Sequence, residues 1–201
     1  AVTGTSGKTS VAEFTRQILG ACGHASASLG TIGVVTPKGA VYGSLTTPDP
    51  VSLHQTLDRL AGEGITHLAI NADGARAADV AAVAGKSGRR VWTVGAAGRD
   101  LRLTSVRAAG FAQRLTLDYA GKTYETDLPL VGAYQVENAL VAAGLALALG
   151  EEPAAVLPAL ARLSGVKGRL EIIGQRNGGL AVVDYAHKPE ALAAALDACR
   201  P

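Results

Sequence analysis

The stretch that most constrains this chain is Gly4-Thr5-Ser6-Gly7-Lys8-Thr9. It lies between the strand-like Val2-Thr3 and a run from Lys8 to Leu19 whose Val11, Phe14 and Ile18 fall on one helical face. A glycine-rich turn that leaves a strand and opens a helix gathers backbone N–H groups into an anion cradle, and the helix adds the positive end of its dipole. Lys8 is placed to reach the β and γ phosphates of a nucleotide, and Thr9 to hold Mg2+ through its hydroxyl. The strict phosphate-loop pattern asks for glycine where this chain has Val2, so the match covers only the core GxxGK[ST]. The alternative is a glycine-rich turn ahead of an ordinary helix, which has no need of Lys8-Thr9.

The rest of the chain supplies a fold for that loop. Its 201 residues suffice for one domain, and its 25 glycines separate strand-like from helix-like stretches in alternation, the mark of an α/β fold. Short strands are expected over Ala27–Val35 and Ala40–Leu45 around a turn at Pro37-Lys38-Gly39. Asp49 and Pro50 then start a helix that carries Leu53, Leu57 and Leu60 and ends near Ala61. A strand over Ile65–Ile70, a helix over Ala77–Ala84 and a strand over Val91–Gly95 extend a mostly parallel sheet flanked by helices. From Leu101 to Val131 the period changes to two, with Ala120-Gly121-Lys122 as a hairpin turn, which predicts a small appended antiparallel sheet. Helices follow over Tyr134–Leu149, Pro153–Leu163 and Pro189–Cys199, with strands over Leu170–Ile173 and Leu180–Val183.

Composition excludes several classes. With 48% apolar residues, 18% charged residues and a formal charge of +2, the chain is globular and offers no electrostatic case for nucleic acid. No run approaches about 18 apolar residues and no signal pattern opens the chain, so no membrane association is expected and the cytoplasm is the expected home. Cys22 and Cys199 have neither metal-site spacing nor a disulfide framework and read as free thiols. The chain contains no methionine, even at position 1, and reads as an excerpt from a longer protein.

Five blocks, in order, extend the reading beyond the phosphate loop: Val2 to Thr9, Gly30-Thr31-Ile32-Gly33, Thr46-Thr47-Pro48-Asp49, Gly132 to Asn138, and Gly165 to Glu171 with Asp184-Tyr185-Ala186-His187-Lys188-Pro189. With these the chain resembles the central domain of the Mur ligases, the ATP-dependent amide-bond-forming enzymes of peptidoglycan synthesis, and is most similar to the type E branch. The resemblance implies that Gly4, Thr5, Ser6, Gly7, Lys8, Thr9 and Ser10 wrap the ATP phosphates, with Lys8 on the transferring group and Thr9 on Mg2+. It implies that Thr46 and Thr47 hydrogen-bond a UDP-MurNAc-dipeptide, that Asn138 and Arg169 contact the nucleotide, and that Asp184 and His187 line its base and ribose side. Taken as single residues, Asn138 also reads as a helix-surface residue and Asp184 as a strand-end cap. His24, His54 and His67 match nothing in the pattern and read as solvated or satisfied locally. The implied reaction adds a third amino acid, meso-diaminopimelate or lysine, to UDP-MurNAc-L-Ala-D-Glu through an acyl phosphate. Oligomeric state is not legible.

The pattern also has gaps. The domain that grips the UDP end and the domain that binds the incoming amino acid are not in this chain. After Thr66-His67-Leu68-Ala69 the family pattern continues with Met-Glu-x-Ser-Ser-His, whereas here Ile70-Asn71-Ala72-Asp73 follows, so an internal segment is expected to be missing at the junction of Ala69 and Ile70. That segment supplies a metal-binding glutamate, a serine contact to substrate and a carbamylated lysine in the family, and Asp73 does not replace them. The chain alone is therefore expected to bind nucleotide weakly and to ligate nothing. Other readings are a phosphate-loop kinase or NTPase, which leaves Thr46–Asp49 and Asp184–Pro189 without a role, a relative of folylpolyglutamate synthetase, and a non-catalytic nucleotide-binding module.

Overall fold

Helix α1 (Lys8–Ala21) leaves the glycine-rich turn as expected and runs two residues past Leu19. A computed structural model of the chain describes Val2, Gln55, Arg59, Gly62, Glu63 and residues 7–41, 67–70 and 92–199. The expectations for residues 4–6 and 42–45, the helix starting at Asp49, Thr46, Thr47, His54, the strand residues Ile65 and Thr66, Asp73 and the helix over Ala77–Ala84 lie outside the described residues.

Four strands, β1 (Ser26–Gly30), β2 (Gly33–Thr36), β3 (Gly39–Val41) and β4 (His67–Ile70), form a sheet in the order β3-β2-β1-β4. The pair β1–β4 is parallel, and β1–β2 and β2–β3 are antiparallel. The single strand expected over Ala27–Val35 is instead a hairpin, in which Gly30 pairs with Gly33 across Thr31-Ile32. Thr31 and Ile32 are β-branched and read as strand on propensity alone. Gly33, at φ 86°, supplies the backbone freedom that reverses the chain there. The turn at Pro37-Lys38 stands as expected, with the Thr36 hydroxyl accepting the Lys38 N–H and donating to the Gly39 carbonyl, both at 3.2 Å.

The appended sheet contains β5 (Val94–Gly95), β6 (Leu101–Ala109), β7 (Ala112–Tyr119) and β8 (Lys122–Leu128), in chain order. The period of two and the turn after Tyr119 placed β6 to β8 correctly. The strand expected over Val91–Gly95, however, does not extend the first sheet. It is reduced to β5 and pairs parallel with β6 at Val94–Leu101. The cause is Asp100, whose carboxylate accepts the Thr93 N–H at 2.8 Å and the Thr93 hydroxyl at 3.0 Å and so folds residues 93–100 back on themselves.

Helix α2 (Ala133–Ala148) and helix α3 (Pro153–Ala159) follow. The expected helix to Leu163 ends at Ala159 and tightens into a 3-10 turn at Leu160–Arg162, a common form for the last turn of a helix. A hairpin of β9 (Glu171–Arg176) and β10 (Gly179–Val183) and helix α4 (Pro189–Ala198) close the described chain.

The core joins α1, α2, α3 and the inner face of the appended sheet: Phe14, Ile18, Leu101, Leu115, Leu117, Leu128, Leu140 and Leu157 are almost wholly buried in one cluster. Val166 is the last residue of that cluster. Beyond it the apolar side chains of Ile172, Ile173, Val183, Leu192 and Leu196 are exposed. No helix among the described residues is long and apolar enough to cross a membrane. Phe14 lies where α1 meets this core and has no exposed surface. Phe14→Ala is expected to lower the unfolding free energy by about 3–5 kcal/mol, read from denaturant titration, through lost burial and the cavity left behind.

Candidate nucleotide-binding site

Helix α1 begins at Gly7, which adopts the left-handed conformation at φ 80° and, being glycine, brings no side-chain cap of its own. Lys8 opens the helix half-buried, while Thr9 and Ser10 are buried behind it at 6% and 3% exposure. A helix start beside a lysine favours anions, because the N–H groups of a first turn and the positive end of the helix dipole point out of the helix. The Thr9 hydroxyl donates to the Thr31 hydroxyl at 3.4 Å, across a small crevice that also involves Ala12, Ser28, Leu29, Gly30 and Ile32.

The second wall is the first turn and a half of α2. Asn138 stands so close to Gly7 that a Cβ on Gly7 would lie 2.2 Å from the Asn138 Oδ1. Asn138 is thus more than a helix-surface residue, because its amide stands against Gly7 at the start of α1. The Asn138 Nδ2 donates to Gln135 Oε1 at 3.4 Å, and the Gln135 Nε2 donates to the Arg169 carbonyl at 3.2 Å. Gln135 is 1% exposed. One face of α2 therefore carries a polar path from Gly7 to Arg169.

The third wall comes from the segment before β9 and the loop after β10. The Arg169 guanidinium sits 5.0 Å from the centre of the Tyr185 ring, and the Tyr185 and His187 rings meet edge to face at 5.2 Å. Asp184 accepts the Leu170 N–H at 2.8 Å through Oδ2 and the Ala186 N–H at 2.7 Å through Oδ1. The strand-end reading of Asp184 is thus realised, yet each carboxylate oxygen retains acceptor capacity for a ligand hydroxyl. The Tyr185 N–H donates to the Gly168 carbonyl at 3.0 Å, which ties the two segments together.

Tyr134, one residue before Gln135, has a buried hydroxyl without a hydrogen-bond partner among the described residues. Burial first, then the proximity of Asp184 and Cys199, push its phenol well above the ordinary range, against a smaller opposing pull from Arg169. Neither Tyr134 nor Gln135 was singled out from sequence. The position of Gln135 three residues before Asn138, on the same helical face, was the signal available. His24 lies far from these walls and pairs with Glu151 at 2.7 Å, so it is satisfied locally.

For magnesium, the described side chains offer the Thr9 hydroxyl, and no group of three or more His, Cys, Asp or Glu among the described residues could hold a metal ion. One buried hydroxyl beside an anion cradle fits an ion that arrives with phosphate ligands and waters of its own, the usual habit of Mg2+.

Comparison with known proteins gives the family and the fold. The family described as the Mur ligase middle domain matches residues 2–70 and 67–146. UDP-N-acetylmuramoyl-L-alanyl-D-glutamate--2,6-diaminopimelate ligase of Bradyrhizobium diazoefficiens is 46% identical over 264 aligned residues, which cover 100% of this chain and 54% of the relative. The protein of the same name from Agrobacterium fabrum is 40% identical over 261 residues, covering 100% of this chain and 53% of the relative. This chain spans about half the length of the curated relatives it matches. Among solved structures, a UDP-N-acetylmuramoyl-L-alanyl-D-glutamate--2,6-diaminopimelate ligase superposes with a TM-score of 0.80 at 20% identity, over 98% of this chain and 52% of that one. Folylpolyglutamate synthetase from Lactobacillus casei superposes with a TM-score of 0.67 at 17% identity, over 98% of this chain and 69% of that one. Both structures share the fold.

Two outcomes follow from the walls of the site. Gly7→Ala is expected to cost about 1–2 kcal/mol from its left-handed backbone, plus the clash with Asn138. Adding Asn138→Ala should recover the clash but not the backbone part, which thermal unfolding of the single and double variants would resolve. For Tyr134, the folded protein keeps a phenolic proton that the unfolded chain gives up above about pH 10, so stability falls as pH rises through that range. Tyr134→Phe is expected to flatten that alkaline decline in Tm and, by removing an orphan hydroxyl, to hold or raise stability by about 1 kcal/mol at neutral pH.

Proposed function

Because this chain belongs to the Mur ligase family, we propose that it is the nucleotide-binding central part of an ATP-dependent ligase of peptidoglycan precursor synthesis, one that joins 2,6-diaminopimelate to UDP-N-acetylmuramoyl-L-alanyl-D-glutamate in the cytoplasm. The observation that carries the reading is the approach of Asn138 to the left-handed Gly7 at the start of α1, directly before Lys8. The names of the curated relatives support the substrate pair.

In this reading the backbone N–H groups of the Gly4–Ser10 loop hold the ATP phosphates, and the Lys8 ammonium offsets charge on the phosphoryl group in transfer. Asn138 and Arg169 contact the nucleotide, and Asp184 and His187 border its ribose and base. Thr46 and Thr47 hydrogen-bond the UDP-linked substrate. Magnesium, when bound with the nucleotide and held by Thr9, supplies further charge neutralisation on the phosphates. The substrate carboxylate attacks the γ-phosphorus, the bond to the ADP oxygen breaks, and an acyl phosphate results. The amine of the incoming amino acid then displaces phosphate, loses its proton and forms the amide. Positioning and charge neutralisation carry most of this chemistry.

Residues 1–201 correspond to the central domain of such an enzyme, with a segment of the relatives missing at the junction of Ala69 and Ile70. The family match in two pieces and an alignment of 264 residues against a chain of 201 support that reading. The chain alone then binds nucleotide weakly and does not turn over.

Calorimetric titration with a non-hydrolysable ATP analogue tests the site: the wild type should bind, and Lys8→Ala should weaken binding by at least about tenfold, the worth of one charge-assisted contact. Absence of binding to the wild type would reject the nucleotide reading. ADP release by this chain that depends on both muramoyl-dipeptide and diaminopimelate would reject its inactivity.

A further inference from the structure

Where a helix lies on a sheet the contact is ordinarily apolar, but between α1 and β1 it is a polar seam. The Ser26 hydroxyl donates to the Arg16 carbonyl at 2.7 Å, the Ser28 hydroxyl donates to the Glu13 Oε2 at 2.6 Å, and the Thr9 hydroxyl donates to Thr31 at 3.4 Å. Along α1 the rungs fall at 16, 13 and 9, and along β1 and its turn they fall at 26, 28 and 31. Positions 9 and 13 share one face of α1 and positions 26 and 28 one face of β1, with Thr31 in the turn beyond, so the rungs run in order toward the start of α1.

The middle rung contains a charge. Glu13 is 6% exposed and Ser28 3%. The Arg16 Nε donates to both oxygens of the Glu13 carboxylate at 3.0 Å, its Nη2 also donates to Oε1, and the Gln17 Nε2 donates to Oε1 at 3.2 Å. An ion pair buried in this way is a poor source of stability, because desolvation offsets most of the attraction. What it does supply is direction. Apolar surfaces tolerate sliding, whereas a carboxylate fixed by a forked guanidinium accepts the Ser28 proton at only one position along the strand.

We infer that Glu13 is a positioning residue for the phosphate loop: through Ser28 it sets the height of α1 along β1, and so the distance of Lys8 and Thr9 from the Gly30–Gly33 turn. Phe14 and Ile18 anchor α1 in the core on one face, and the Glu13 and Thr9 rungs hold the half that carries Lys8 and Thr9. The inference rests on the nucleotide reading above for its purpose, though not for its geometry.

Ser28→Ala tests it, since that variant deletes one rung and leaves the Glu13–Arg16 pair intact. Two readouts are needed on the whole chain: backbone amide chemical shifts without ligand, and calorimetric affinity for a non-hydrolysable ATP analogue with Mg2+. The expected result is displacement of the amide signals of Gly7–Ser10 and Thr31–Gly33 with those of Ile18–Ala21 unmoved, about tenfold weaker binding, and a nearly unchanged Tm. Ser28→Thr, which retains the hydroxyl, should restore both. Shift changes confined to Ser28 and its strand neighbours, with wild-type affinity, would overturn the proposal. If the wild type fails to bind the analogue while Ser28→Ala still moves Gly7–Ser10, the nucleotide reading falls and the positioning role stands. Should Ser28→Ala not fold, Glu13→Gln, which keeps the length of the side chain but offers one acceptor oxygen in place of two, carries the same readouts with the same expected direction.

Discussion

The close approach of α1 to α2 at Gly7 and Asn138 is the constraint on which the remaining arrangement depends. At that point the Asn138 amide occupies the place a Cβ would take, and the left-handed φ of Gly7 is the stronger reason that the first residue of the contact is glycine. Farther along, the same two helices bury Phe14, Ile18, Leu140 and Ala143 together, which sets their spacing. Core packing and loop geometry are therefore one problem. A helix pair held farther apart would lose the wall of the anion site along with part of its apolar contact.

Helix α2 is the member that joins the parts. Its apolar stripe faces α1 and the appended sheet, while Gln135 and Asn138 on its first turns connect Gly7 to the carbonyl of Arg169. The appended sheet thus serves the site indirectly, since Leu115, Leu117 and Leu128 share one buried cluster with Val136, Ala139 and Leu140 of α2.

How far this was legible in the sequence differs from element to element, for physical reasons. The spacing of Val11, Phe14 and Ile18 set α1, and alternation with a glycine turn set β7 and β8, because in both cases local period and burial agree. Thr31 and Ile32 misled, since β-branched residues favour strand wherever neighbouring glycines do not turn the chain. The placement of β5 could not be read, because it depends on the Asp100 carboxylate reaching Thr93 across a loop. In the site, Gly7, Lys8 and Thr9 were legible from a motif whose mechanism is local. Asn138, Arg169, Asp184 and His187 came only through family resemblance, and Tyr134, Gln135 and Glu13 went unnoticed because their roles arise from tertiary contacts between distant segments.

The three walls of the site do not share one cooperative unit. Gly7 and Asn138 belong to elements inside the main core, whereas Asp184, Tyr185 and His187 belong to a hairpin and loop whose neighbouring apolar side chains lie largely outside it. That outer portion meets α2 through the Gln135 to Arg169 hydrogen bond and the close approach of Ala198 to Gly132, with Tyr185 to Gly168 holding its own two segments together. With few buried apolar side chains of its own, it is expected to open at a lower free energy than global unfolding. The loop after β10 can thus come away and return while the start of α1 stays folded, so that a ligand spanning both would act as a clasp between two regions of unequal local stability.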